Sequence, residues 1–265
     1  MSFKSITFWC ESPEKVKWKE FKELIDFRCS VYVISRNKKE FENWNKKIKN
    51  KFIDVGAWPA LSFEEGYWFS GLTSKKSIDK LKEFKGLNIK IDLEPPIRMK
   101  VYSDLQALAY AVEFFLFRNY PNNNYLMQTI NELSKDTNII ASGYPFPRFL
   151  SKKYGGDIKV NSNIRKNYFI YTSMLPFKSL FYKYYKWFIK NKIKEEIDKC
   201  MFALGCIGPG IYGNERIYKN LDEFNKDLKM FNNLNVKNIV VFEVCGLMNR
   251  SNPKEWIEAI KGYLK

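Results

Sequence analysis

Along the whole chain, short runs rich in β-branched and aromatic residues alternate with longer segments whose apolar residues recur every three or four positions. Eight such runs stand out: SITFWC (5–10), CSVYVIS (29–35), FIDVGAWP (52–59), NIKIDLE (88–94), NIIASGY (138–144), YFIYTSM (168–174), FALGCIG (202–208) and NIVVFEV (238–244). Runs of this kind predict strands, and the spacing between them predicts helices. In 13–26, Ser12 stands where a cap would, Pro13 opens the first turn, and Val16, Phe21, Leu24 and Ile25 make an apolar side. In 101–117 the same role falls to Leu105, Leu108, Val112 and Phe115, and at the far end Asn252 and Pro253 open NPKEWIEAIKGYL. Eight strand and helix units predict an α/β fold, a single (β/α)8 TIM barrel over 1–265. A doubly wound open sheet is the alternative, because periodicity reports alternation but not closure; the count favours the barrel, and the first βα turn lacks a GxGxxG fingerprint.

Composition narrows the chemistry. The chain carries 45 Lys and Arg against 29 Asp and Glu, a formal charge of +16. Such a field concentrates anions, although a generally lysine-rich surface gives the same number. There is no histidine, which removes Ser-His-Asp and Cys-His triads, His-ligated metals and imidazole proton transfer; any acid or base must be Asp, Glu, Lys, Tyr or Cys. The five cysteines (Cys10, Cys29, Cys200, Cys206 and Cys245) form no CxxC pair and read as small buried hydrophobes. No signal-peptide core or long apolar span interrupts the pattern, so the expected location is cytoplasmic.

The fourth run ends Lys90-Ile91-Asp92-Leu93-Glu94-Pro95-Pro96. Alternation puts Lys90, Asp92 and Glu94 on one face of a strand, with about 6 to 7 Å between the α-carbons of the two acids. Two carboxyl groups so placed in a desolvated site cannot both ionise freely, so one pKa should rise and give a proton donor. The bland reading is a pair of acids opening a solvated loop. The strand end resembles that of the chitinase-like glycoside hydrolases of family eighteen, whose fourth strand closes with D-x-x-D-x-D-x-E. Asp92 and Glu94 match the final D-x-E; Leu87 and Lys90 stand where the two earlier aspartates would be. The resemblance implies that Glu94 protonates the leaving oxygen while Asp92 orients the substrate's N-acetyl group, which acts as nucleophile.

A further acid, Glu243, sits among apolar residues in VVFEVCGL. A buried Glu needs a partner or a role. Glu243 is therefore a third catalytic candidate, the base or nucleophile of a two-carboxylate glycosidase, or it pairs with a cation such as Arg250. Aromatics follow the strand ends at Trp9, Trp58, Trp68, Tyr144, Phe146 and Tyr212. Sugar rings pack on such planes, so Tyr144, Trp58, Trp9 and Tyr212 are expected to bind substrate. The glycine-rich stretch from Gly205 to Gly213 suits either a phosphate or merely a tight loop. In 180–197, Lys183, Lys186, Lys190 and Lys194 share a helical face opposite Phe181, Tyr184, Tyr185 and Phe188. That face fits an anionic ligand or membrane surface, or a solvated outer helix; nucleic acid is not favoured.

The leading expectation is therefore a glycoside hydrolase acting on an oligosaccharide or glycoconjugate, without cofactor or metal. The alternatives are a phosphosugar lyase or isomerase using Lys90 or a carboxylate, and a non-catalytic barrel that binds glycan or anionic lipid.

Overall fold

The computed structural model describes residues 3–94, 96, 112–114, 118–174, 178–196, 199–211 and 213–264. Its strands are β1 (Ser5–Cys10), β2 (Cys29–Ser35), β3 (Ile53–Pro59), β4 (Asn88–Asp92), β5 (Asn138–Gly143), β6 (Ile164–Ile170), β7 (Cys200–Leu204) and β8 (Asn238–Phe242). They form one closed barrel in chain order, and β8 returns to pair in parallel with β1, Trp9 opposite Phe242. Helices alternate with them: α1 (Trp18–Leu24), α2 (Lys38–Ile48), α3 (Lys75–Asp79), α4 (Asn123–Leu133), α5 (Arg148–Tyr154), α6 (Lys178–Glu196), α7 (Leu221–Asn233), α8 (Val244–Met248) and α9 (Pro253–Lys261). The fold is a single (β/α)8 barrel. Among the described residues no helix is long and apolar enough to cross a membrane.

Local sequence explains most of these elements. Every residue of β7 and β8 is buried, as strands covered on both faces require. Helix α7 begins where the Asn220 side chain accepts the Glu223 N–H, and it buries Phe224, Leu228 and Phe231 at helical spacing. Helix α9 opens on Pro253, its Trp256 ring stacked on Phe224 with centroids 5.2 Å apart.

Several boundaries differ from the sequence pattern. Strand β6 starts at Ile164, not 168, because the Asn161 side chain accepts the N–H groups of Asn163 and Ile164 and launches the strand there. Its first half is polar (Arg165, Lys166, Asn167) and hides from a hydrophobic scan; Thr172–Met174 then forms a 3-10 turn instead of strand. β7 likewise begins two residues earlier and ends at Leu204. Pro13 opens only a 3-10 turn, Pro13–Lys15, and α1 starts afresh at Trp18, whose indole N–H reaches back to the Pro13 carbonyl at 2.8 Å. Neither Ser12 nor Asn252 supplies a side-chain cap. Leu105, Leu108 and Phe115 lie outside the described residues, and Val112 is exposed, not part of an apolar side.

Contacts divide the chain into two compact units, one of Met1–Ile34, Glu42–Gly56 and Asn167–Lys265, the other of Ser35–Phe41 and Ala57–Lys166. In the first, Trp9 meets Phe169 edge-on at 5.8 Å. β1 and β6 are not neighbours, so this contact crosses the barrel interior. The five cysteines are buried and none is in a disulfide.

Candidate active site

In the second unit, the pairing that follows β4 builds the site. Asp92 lies opposite Ser142 and Lys90 opposite Ile140 on β5, so these side chains share one face of the sheet. The chain after β3 folds back beside the end of β4: the Phe69 N–H donates to the Asp92 carbonyl at 3.1 Å, and the Glu94 N–H donates to the Phe69 carbonyl at 3.1 Å. Leu93 N–H donates to the Ser142 carbonyl at 2.9 Å. Glu94 is thereby held by backbone on both sides, beyond the last residue of the strand.

Lys90 and Asp92 are 0% and 2% exposed and form an ion pair, Nζ to Oδ2, at 2.7 Å. The Lys90 ammonium also sits 3.1 Å from the centroid of the Trp58 ring, and Trp58 stacks on Trp68 at 5.4 Å and 6°. Taking a lysine out of water is costly, and here a carboxylate and a π face compensate it together. Burial raises the Asp92 pKa, opposed chiefly by the Lys90 charge and hydrogen bond. Hydrogen bonds from the Ser142 and Trp58 side chains to the same carboxyl group oppose that rise as well.

Glu94 keeps part of its surface in solvent while protein packs around its carboxyl group. That desolvation, with the Asp92 charge second, lifts its pKa to about 8. The Tyr144 hydroxyl donates to Glu94 Oε2 at 2.7 Å, and the Tyr144 ring stacks on Phe146 at 5.2 Å. Tyr154, fully buried, is a neighbour that the sequence did not reveal; burial raises its pKa, and the Glu94 charge adds to the rise. It closes α5 in a lysine-containing turn, and no pattern there marks it as belonging to the site.

In the first unit, Glu243 follows β8 and precedes α8. It is 3% exposed, and its Oε2 accepts the Glu11 N–H at 3.1 Å. Burial raises its pKa to about 7, against the lowering effect of the Glu11 and Gly246 N–H groups. Arg250 is not its partner: the guanidinium donates to the carbonyls of Ile207 and Tyr218 and lies 4.5 Å from the Trp256 ring centroid.

The glycine-rich loop is shaped by packing. A Cβ on Gly208 would lie 2.3 Å from Gly246 Cα, so two backbones touch. A Cβ on Gly210 would lie 2.9 Å from Glu215 Oε1 and 3.2 Å from Glu11 Oε2. Carboxylates stand where a phosphate would need donors, and burial together with the charges of Glu215, Glu11 and Glu243 raises the pKa of the Cys206 thiol. The tight-loop reading describes this stretch.

The aromatics expected to bind substrate lie in different surroundings. Trp9 is fully buried, edge-on to Phe169 and Phe242, a core residue with no ring face for a sugar. Trp58 is buried beneath Lys90, and Tyr212 lies outside the described residues. Of the four, Tyr144 touches a site carboxylate. Lys90, offered as a lyase amine, is engaged by Asp92 and Trp58. Among the described residues no group of three or more Cys, Asp or Glu side chains is arranged to hold a metal ion. An open groove of about 630 Å³ between α7 and α9, bordered by Asp222, Lys226, Lys229, Glu258 and Tyr263, includes none of Asp92, Glu94 and Glu243.

No family model and no curated protein matches the sequence. Solved structures do match the fold. The PgaB (BpsB) glycoside hydrolase domain from Bordetella bronchiseptica superposes on 97% of this chain and 99% of its own, with a TM-score of 0.57 and 9% identity. The catalytic domain of a family GH18 chitinase from the fern Peteris ryukyuensis covers 98% of this chain and 99% of its own, at a TM-score of 0.52 and 9% identity. A family 18 chitinase from Crocus vernus covers 97% and 98%, at 0.50 and 13%. At these identities the likeness establishes a shared (β/α)8 barrel and nothing finer. The likeness is one of fold, and a fold hosts many reactions, so the chemistry must come from the site.

Proposed function

We propose that this protein is a glycoside hydrolase acting on an N-acetylated oligosaccharide or glycoconjugate, with Glu94 as general acid and Asp92 as its partner. The observation that carries the reading is Glu94 itself: a carboxyl group at the end of a barrel strand, hydrogen-bonded by Tyr144, with its pKa raised to about 8 by burial and Asp92. Such a group still holds its proton at neutral pH and can give it to a leaving oxygen. Asp92, held in place by Lys90, is the group that accepts a hydrogen bond from the substrate's acetamide N–H. That bond orients the acetamide oxygen for attack at the sugar's anomeric carbon. Tyr144 positions the Glu94 carboxyl.

The test is turnover of N-acetylated oligosaccharides by Glu94→Gln beside Glu243→Gln. Removing a general acid should lower kcat by about 10² to 10⁴. Glu243→Gln should reduce it only modestly, because the substrate supplies its own nucleophile. Unchanged turnover in Glu94→Gln would overturn the assignment, and an equal collapse in Glu243→Gln would make Glu243 the second catalytic carboxylate.

A further inference from the structure

Helix α6 presents two different surfaces. Tyr185, Phe188 and Ile189 are buried, and Phe188 meets Tyr168 of β6 edge-on at 4.9 Å. On the other side Lys183, Lys186, Lys190 and Lys194 are exposed. At about 100° per residue these four fall within an arc of about 80°, and Trp187 borders it. Trp187 is 60% exposed, its ring beside Tyr184 at 5.8 Å. At the opposite border Tyr182 carries the Lys186 ammonium 4.9 Å from its ring centroid and donates to the Lys226 carbonyl at 3.4 Å. Lys226 and Lys229 of α7 are exposed as well, so the basic surface continues onto a second helix. Glu195, also exposed, is paired with Lys192 at 2.6 Å.

An outer helix needs lysines for solubility, but it does not need a tryptophan held out among them. A large aromatic ring flanked by lysines matches the headgroup layer of a bilayer: the ring has an apolar body and a polar N–H, and the ammonium groups reach lipid phosphates. We propose that the exposed face of α6, continued by Lys226 and Lys229, docks this protein onto an anionic bilayer surface, with Trp187 entering the headgroup region. Charge complementarity calls for an anionic surface, and shape favours lipid over nucleic acid. The surface is a convex helix with one projecting ring, whereas a single strand is bound in a groove with several stacking platforms. This inference does not depend on the glycosidase reading.

The experiment is co-flotation of the full-length protein with phosphatidylcholine vesicles, with and without phosphatidylglycerol, while tryptophan emission is recorded. Binding should require phosphatidylglycerol, weaken with salt, and fall about fivefold for each of Lys183→Gln, Lys190→Gln and Lys194→Gln. A blue shift on binding should vanish in Trp187→Gln. These residues are exposed, and circular dichroism of each variant checks that the fold is kept. Equal binding to neutral vesicles, or wild-type binding by the triple lysine variant, would overturn the proposal. So would tighter capture by a single-stranded oligonucleotide than by anionic vesicles.

Discussion

A carboxylic acid that keeps its proton to about pH 8 weakens its own fold as the pH rises, and Glu94 makes that effect measurable. Below its ordinary value of 4.5 both folded and unfolded chains are protonated at this position. Between 4.5 and about 8 the unfolded chain ionises first, so it binds fewer protons and stability falls; above that window the penalty is constant. Thermal melts of Glu94→Gln should therefore match wild type near pH 4 and gain on it steadily up to about pH 8, then level off. A constant difference across this range would contradict the raised pKa. Lys90 is the second residue to probe. Lys90→Met strips the buried Asp92 of its counter-charge, and breaking a buried pair costs about 3 to 5 kcal/mol. Asp92 should then protonate more readily, and Glu94 loses the Lys90 charge that lowers its pKa, so the alkaline limb of the pH–rate profile should move, upward where Asp92 stays ionised and downward where Asp92 takes up the proton. An unmoved limb would leave Lys90 a purely structural role. Asp92 and Glu94 were legible from alternation alone. The ion pair was not, because the pattern shows that Lys90 shares their face but not that Trp58 of another strand covers it.

At the scale of elements, packing overruled local signals where polar residues begin a strand or glycines touch. The polar half of β6 pairs because the barrel supplies neighbours for its N–H and C=O groups. Its hydrophobic content did not announce it. Gly208 and Gly246 show the other limit: each lies where a Cβ would press on the other's backbone, 2.3 and 2.2 Å away. Neither backbone can step aside as a side chain would. Gly208→Ala should therefore destabilise the protein by an overpacking cost of about 1 to 3 kcal/mol, lowering Tm by several degrees in a thermal melt. A wild-type Tm would mean that the Gly208 loop and helix α8 part easily.

For the whole molecule, the dominant long-range quantity is the formal charge of +16. Like charges on a compact body repel more than on an expanded chain, and salt screens them, with a Debye length of about 10 Å at 0.1 M. Tm should rise when ionic strength increases from about 0.01 M to 0.1 M, as seen by calorimetry in a non-coordinating buffer. A fall would show that surface ion pairs such as Lys261 with Asp26, at 2.5 Å, outweigh the repulsion.

The alternation of apolar runs by itself determined that eight strands would alternate with helices, and the absence of histidine determined that no imidazole could carry a proton here. Both follow from covalent structure: side chains project with a fixed period, and a missing imidazole cannot be supplied by folding. Closure of the sheet, burial of Trp9 in the interior and the pairing of Lys90 with Asp92 were decided only by tertiary structure. So was the separation of Glu243 from Arg250. Each depends on which residues of distant segments meet, and on the dielectric those meetings create. A period along one segment cannot report that environment, and it is what decides whether a carboxyl group keeps its proton.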